Sequence, residues 1–137
     1  MSKIYMKTFV VEDSEVILKN LVSTLEELTP VKVVGSAPDA ASAIDWLAQP
    51  TNMFDLLIID IFLKSSSGLT VLSSIMELSI QAKRVVLTNY ATREMRARCA
   101  ALGAHRVFDK SSEIDELIEN CVQLQQEKSL SAEDTRH

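Results

Sequence analysis

No apolar run in this sequence approaches the ~20 residues needed to cross a bilayer, so no membrane-spanning helix is expected. A secretory leader is not expected either. Lys3 and Lys7 are followed by Phe9-Val10-Val11 and then at once by the acids Glu12 and Asp13, too short an apolar stretch for a signal peptide. Positive charge is in deficit, with 19 acidic residues against 14 basic ones and a formal charge of -5. A protein that tracks a phosphate backbone usually carries the opposite sign, so direct nucleic-acid binding is not expected. Cysteine is scarce. Cys99 and Cys121 each lie in a helix-like pattern and lack metal-type spacing, which reads as two buried thiols of a cytoplasmic protein rather than a disulfide or a nucleophile. His105 and His137 have no companion ligands and read as surface histidines.

What the chain does have is apolar residues, 47% of its 137 positions, enough to fill the core of one domain. Short apolar runs alternate with segments of helical period. Thr8-Phe9-Val10-Val11 reads as a buried strand, followed by a helix from Ser14 to Leu28 whose Ile17, Leu21, Leu25 and Leu28 share one face. Val31 to Val34 is a second strand, closed by Gly35, and Asp39 caps a helix to Leu47. Leu56-Leu57-Ile58-Ile59 is the most apolar strand and runs directly into Asp60. The loop Lys64-Ser65-Ser66-Ser67-Gly68 opens a helix from Leu69 to Leu78. Val85-Val86-Leu87 ends in Thr88, and a helix from Arg93 to Leu102 stops at Gly103. Arg106 to Asp109 is a fifth strand ending at Lys110, after which Ser111 or Ser112 caps a last helix burying Ile114, Leu117, Ile118, Cys121 and Leu124. Residues 1–125 form the expected domain, and 126–137 a polar tail expected to fray.

Five strands alternating with five helices predict an α/β fold, a doubly wound five-stranded parallel sheet with helices on both faces. Right-handed crossovers put every strand's carboxyl end on one edge, where such sheets bind ligands. That edge gathers Glu12 and Asp13, Asp60, Thr88 and Lys110. Close carboxylate pairs repel by ~4 kcal/mol at an effective dielectric near 20. A hard divalent cation such as Mg²⁺ is the natural compensation and leaves coordination sites for a phosphate oxygen. A carboxylate can also attack phosphorus to give an aspartyl phosphate. Asp60, at the end of the most buried strand, suits the nucleophile, Glu12 and Asp13 suit the metal, and Lys110 and Thr88 suit the phosphoryl oxygens.

The elements Val10-Val11-Glu12-Asp13-Ser14, Leu57-Ile58-Ile59-Asp60, Ser67-Gly68-Leu69, Leu87-Thr88-Asn89-Tyr90 and Phe108-Asp109-Lys110-Ser111, in that order, resemble a response-regulator receiver domain of two-component signalling. The resemblance runs from about Lys7 to Leu124 and implies a flavodoxin-like fold. It implies Asp60 as phosphoacceptor, and Glu12, Asp13, Asp60 and the Phe62 backbone carbonyl as Mg²⁺ ligands. It also implies a phosphodonor histidine on a sensor histidine kinase or histidine phosphotransfer protein, docking near the first helix, and an inward movement of Thr88 followed by an aromatic on the fifth strand. The sequence departs from that pattern at the last point. Val107 stands at the usual aromatic position, and Phe108 beside it should face the other way. Tyr90 is the candidate to share the coupling. Ser111 follows Lys110 where the family often has proline, so a trans bond is expected there. Lys64 likewise replaces a usual proline.

Other functions fit less well. Halo-acid-type phosphohydrolases need a second Asp two residues after the nucleophile, where this chain has Phe62, and Glu12 and Asp13 would repel a flavin or nucleotide phosphate. The rival is an interaction module that keeps the fold but signals without phosphorylation. Neither reading makes the chain an enzyme beyond phosphorylating and dephosphorylating itself. A stand-alone receiver would act through a downstream protein target or as a phosphate carrier. Arg93, Arg96 and Arg98 read as a solvated helix face, with a homodimer pairing to Asp115, Glu116 or Glu119 as the weaker option. Trp46 reads as a packed or half-exposed helix residue, and Phe62 and Tyr90 as flanking the path of a hydrolytic water.

Overall fold

The computed structural model describes residues 4–134. Its elements are β1 (Met6–Val11), α1 (Glu15–Leu28), β2 (Val31–Ala37), α2 (Ala40–Leu47), β3 (Leu56–Ile59), α3 (Gly68–Glu77), β4 (Lys83–Thr88), α4 (Arg93–Ala101), β5 (Arg106–Asp109) and α5 (Ile114–Asp134). All strand pairs are parallel, in the order β2-β1-β3-β4-β5. Chain direction along the sheet reverses between β1 and β3, and the strand-end crevice of a doubly wound fold opens there.

Alternation along each strand sorts the core into two layers. Phe9, Val11, Leu57, Ile59 and Val86 pack under α2, α3 and α4. Val10, Leu56, Ile58, Val85, Leu87 and Phe108 pack under α1 and α5, with Leu21, Leu25, Leu117 and Cys121. Val107 joins the first layer and Phe108 the second, so the two do face opposite ways. Side-chain oxygens fix several helix starts. Ser14, Asp39, Ser67 and Thr92 each accept a hydrogen bond from a backbone N–H in the first turn of α1, α2, α3 and α4. Gly103, at φ 91°, ends α4 in a conformation costly for any residue with a side chain.

The structure departs from the sequence-based elements in three places. Gly35 does not close β2, which runs on to Ala37. The Phe9 and Trp46 rings stack 4.3 Å apart, and a Cβ at position 35 would sit 3.0 Å from Phe9 and 3.2 Å from Trp46. Glycine therefore lets the strand pass beneath the rings, with a register shift between Thr8 and Phe9. Neither Ser111 nor Ser112 caps α5. Asp109 Oδ1 accepts from Ser111 N (2.8 Å) and Ser111 Oγ (2.5 Å), which closes a turn and delays the helix to Ile114. The tail expected to fray instead extends α5 to Asp134. Gln125 Nε2 donates to Ile4 O (3.0 Å), and Lys128 Nζ reaches Asp55 Oδ2 (2.7 Å) and Tyr5 O (3.0 Å), tying this stretch to the residues just ahead of β1 and β3.

Candidate functional site at the carboxyl edge

The backbone brings the acids together before any side-chain choice is made. Glu12 N donates to Ala37 O (3.0 Å) and Asp60 N to Val11 O (3.0 Å), so the ends of β1, β2 and β3 are stitched side by side. Lys110 N donates to Thr88 O (3.0 Å) and joins the ends of β4 and β5 in the same way. Glu12, Asp13 and Asp60 each offer a carboxylate oxygen, and these atoms lie within 4.8 Å of one another. Glu12 and Asp60 are buried, at 4% and 8% exposure.

Lys110 holds the cluster from the far side. Its Nζ lies 2.5 Å from Glu12 Oε1 and 2.8 Å from Asp60 Oδ2. Burial works against the ammonium charge, but hydrogen bonds and attraction to Asp60 and Glu12 outweigh it and hold the Lys110 pKa above its ordinary value. Three of the remaining oxygens accept from backbone N–H groups. Glu12 Oε2 accepts from Ser14 N (3.0 Å), Asp13 Oδ2 from Lys64 N (2.8 Å), and Asp60 Oδ1 from Phe62 N in a long contact of 3.4 Å. One ammonium against three carboxylates leaves an excess of negative charge on hard oxygen donors. That donor set suits a divalent cation of the Mg²⁺ type.

Thr88 is fully buried, and its Oγ1 accepts from Tyr90 N (3.2 Å). A hydroxyl that accepts still has a proton to donate. Tyr90 and Phe62 are 60% and 51% exposed, yet their rings meet edge to face with centroids 4.7 Å apart. Each ring stands two residues beyond a pocket residue, Thr88 or Asp60, so the pair bridges the two loops at the rim.

Two residues have roles that the sequence reading did not assign to them. Gly68 opens α3 so close to β3 that a Cβ there would lie 2.2 Å from Asp60 O and 2.7 Å from Ile59 Cγ2. Its sequence signal is its place in the Ser67-Gly68-Leu69 element at the end of a serine-rich loop, which gives no reason for a glycine there. Arg96 is not part of a solvated face. Its guanidinium donates to Ala91 O (3.0 Å), Val107 O (2.7 Å) and Glu113 Oε1 (2.6 Å), so the side chain, 39% exposed, lies across the end of β5 rather than extending into solvent. Arg93 and Arg98 are exposed. His105 also has a partner, its Nδ1 accepting from Arg84 N at 3.1 Å. Burial raises the thiol pKa of both cysteines, that of Cys121 to about 12, which keeps them protonated and unreactive. His137 lies outside the described residues. Among the described residues no peptide bond is cis, so Lys110–Ser111 is trans.

The sheet order and the acid cluster with its lysine at the carboxyl edge define a doubly wound α/β domain with a charged strand-end pocket. Residues 8–121 match the response regulator receiver domain family, and the chain belongs to it. It is a receiver domain of the kind found in two-component response regulators. YvfU, an uncharacterized transcriptional regulatory protein of Bacillus subtilis, is 30% identical over 120 residues, spanning 85% of this chain and 59% of the relative. Two further curated relatives are spanned over 28% and 51% of their lengths. Among solved structures, the receiver domain of the Francisella response regulator 1452 superposes with a TM-score of 0.78 at 22% identity, covering 90% of this chain and 98% of that one. A Burkholderia pseudomallei response regulator with a phosphorylated aspartic acid, a calcium ion and citrate superposes at 0.71 and 22% identity, covering 92% and 74%. Among the described residues no helix is long and apolar enough to cross a membrane.

Proposed function

We propose that this domain is a cytoplasmic phosphoacceptor switch in which Asp60 takes a phosphoryl group from a phosphohistidine on a sensor histidine kinase or histidine phosphotransfer protein. A carboxylate oxygen of Asp60 attacks phosphorus as the bond from phosphorus to the donor imidazole breaks, and the imidazole leaves with its electron pair. The observation that carries this reading is the Lys110 ammonium bridging Glu12 and Asp60, with Asp13 within reach of both. Lys110 neutralises the nucleophile's neighbours and is positioned to follow charge onto the transferred group. The Thr88 hydroxyl donates to a second phosphoryl oxygen. Glu12, Asp13, Asp60 and the Phe62 carbonyl would hold Mg²⁺. When bound, that ion would offset the charge on the remaining phosphoryl oxygens. A relative's solved form with a phosphorylated aspartic acid and a calcium ion supports this assignment by analogy.

The donor docks beside α1. A cleft of ≈ 360 Å³ there is lined by Ile17, Asn20, Leu21, Leu87, Lys110 and Ile114, and Val16 and Ile17 are exposed at its edge. Phosphorylation then alters a surface read by a downstream protein target, with no direct contact to nucleic acid. The chemistry is uptake and loss of phosphate on the protein itself rather than turnover of a substrate. Incubation with Mg²⁺ and acetyl phosphate, followed by intact-mass measurement, tests this. One phosphoryl adduct is expected, absent from Asp60→Asn and from protein in excess chelator. The side chain at position 107 favours the rival, an interaction module that works without phosphorylation. Failure of every phosphodonor to give an adduct would favour that rival instead.

A further inference from the structure

The Arg96 guanidinium touches three separate segments, each at a residue three positions from Thr88 or Lys110. Nε donates to Ala91 O in the loop after β4, Nη1 to Val107 O in β5, and Nη2 to Glu113 Oε1 ahead of α5. The same Glu113 oxygen accepts from Asp109 N at 2.9 Å. Ala91 lies three residues beyond Thr88, and Asp109 immediately precedes Lys110. The two phosphoryl-contacting residues are thus linked twice, directly through the hydrogen bond from Lys110 N to Thr88 O and at longer range through Arg96 and Glu113.

A guanidinium is a rigid planar fork, so its three acceptors keep their relative positions only while the fork stays in place. Displacing Ala91 must therefore either break a charge-assisted bond or carry Val107 and Glu113 along. The Val107 side chain is packed into the core layer and its carbonyl is held by Arg96. A link through that carbonyl needs no aromatic ring at position 107.

We propose that Arg96 is a positioning residue that transmits displacement of the Thr88–Ala91 segment to Asp109–Glu113, taking the place of an aromatic relay on β5. The inference rests on the phosphoacceptor reading of Asp60.

Beryllium trifluoride with Mg²⁺, a stable mimic of the phosphoryl group, separates the two claims. Fluorine NMR reports whether the mimic is bound, and amide hydrogen exchange reports how far the response travels. In the wild-type chain exchange rates change at 88–91, at Lys110, which meets the mimic directly, and at 112–113, which Arg96 holds through Glu113. In Arg96→Ala the mimic still binds and the changes at 88–91 and at Lys110 persist, but that at 112–113 shrinks by at least about 5-fold, the low end of coupling between sites. Arg96→Lys keeps the charge and a single bond to Glu113 but has no fork, and it gives the same loss. A full response at 112–113 in Arg96→Ala, or its restoration by Arg96→Lys, overturns the inference while leaving Asp60 as acceptor. Absence of bound fluorine signal in the wild-type chain overturns both.

Discussion

Replacing Gly68 by alanine adds one methyl group and should cost the site most of its activity. A Cβ at position 68 would stand 2.2 Å from the carbonyl oxygen of Asp60 and 3.0 Å from its carbonyl carbon, where ordinary contact begins at 3.4 Å. The obstruction is backbone, so no side-chain rotation relieves it. Either α3 withdraws or the 60–61 segment moves, in each case by about 1 Å, and a displacement of that size at a reacting group costs on the order of 100-fold in rate. Overpacking of this kind also costs about 1–3 kcal/mol of stability. Two assays check the two effects, urea unfolding for stability and adduct formation from acetyl phosphate at saturating Mg²⁺ for chemistry. Gly68→Ala should remain folded, with a lowered urea midpoint and a rate reduced by about two orders of magnitude. Wild-type uptake in a variant of wild-type stability would refute the close-approach argument.

Three further substitutions probe the charges and the rim. Lys110→Ala strands Glu12 and Asp60 without their shared ammonium, so the variant should lose up to about 3 kcal/mol in chelator, recover part of it with Mg²⁺, and take up phosphate slowly. Equal stability with and without Mg²⁺ would argue against a shared cation site. Phe62→Asn opens the contact between Phe62 and Tyr90 and should shorten adduct lifetime several-fold, and an unchanged decay rate would remove the rim from the account. The fold favours the neutral form of His105, whose pKa is lowered from 6.5 first by burial and then by Lys83 and Arg84. The unfolded chain therefore binds the extra proton more readily, so stability falls as pH drops through about 6.5. Urea midpoints of His105→Asn should lack this part of the slope.

Much of the fold could be read locally. β3 and β5 end where apolar runs meet Asp60 and Lys110, and α1 to α4 begin at side chains able to accept from a free N–H. The strand-end rule then named the acids, Thr88 and Lys110 without any contact being known. What escaped depends on partners distant in sequence. Gly35 resembles a strand terminator until two aromatic rings are found above it. Residues 126–134 look like a polar tail until Lys128 meets Asp55, 73 positions away. Arg96 sits in a run of arginines, and only the packing of α4 on β5 separates it from its exposed neighbours.

The central claim is that position 60 carries the phosphoryl group, and borohydride tests it most directly. Reduction of an acyl phosphate with tritiated borohydride converts the labelled aspartate to homoserine, which peptide sequencing then locates. Label confined to residue 60, and formed only with Mg²⁺ present, is the predicted result. Label at Glu12 or Asp13, or at no carboxylate in protein that has gained a phosphoryl group, would contradict it.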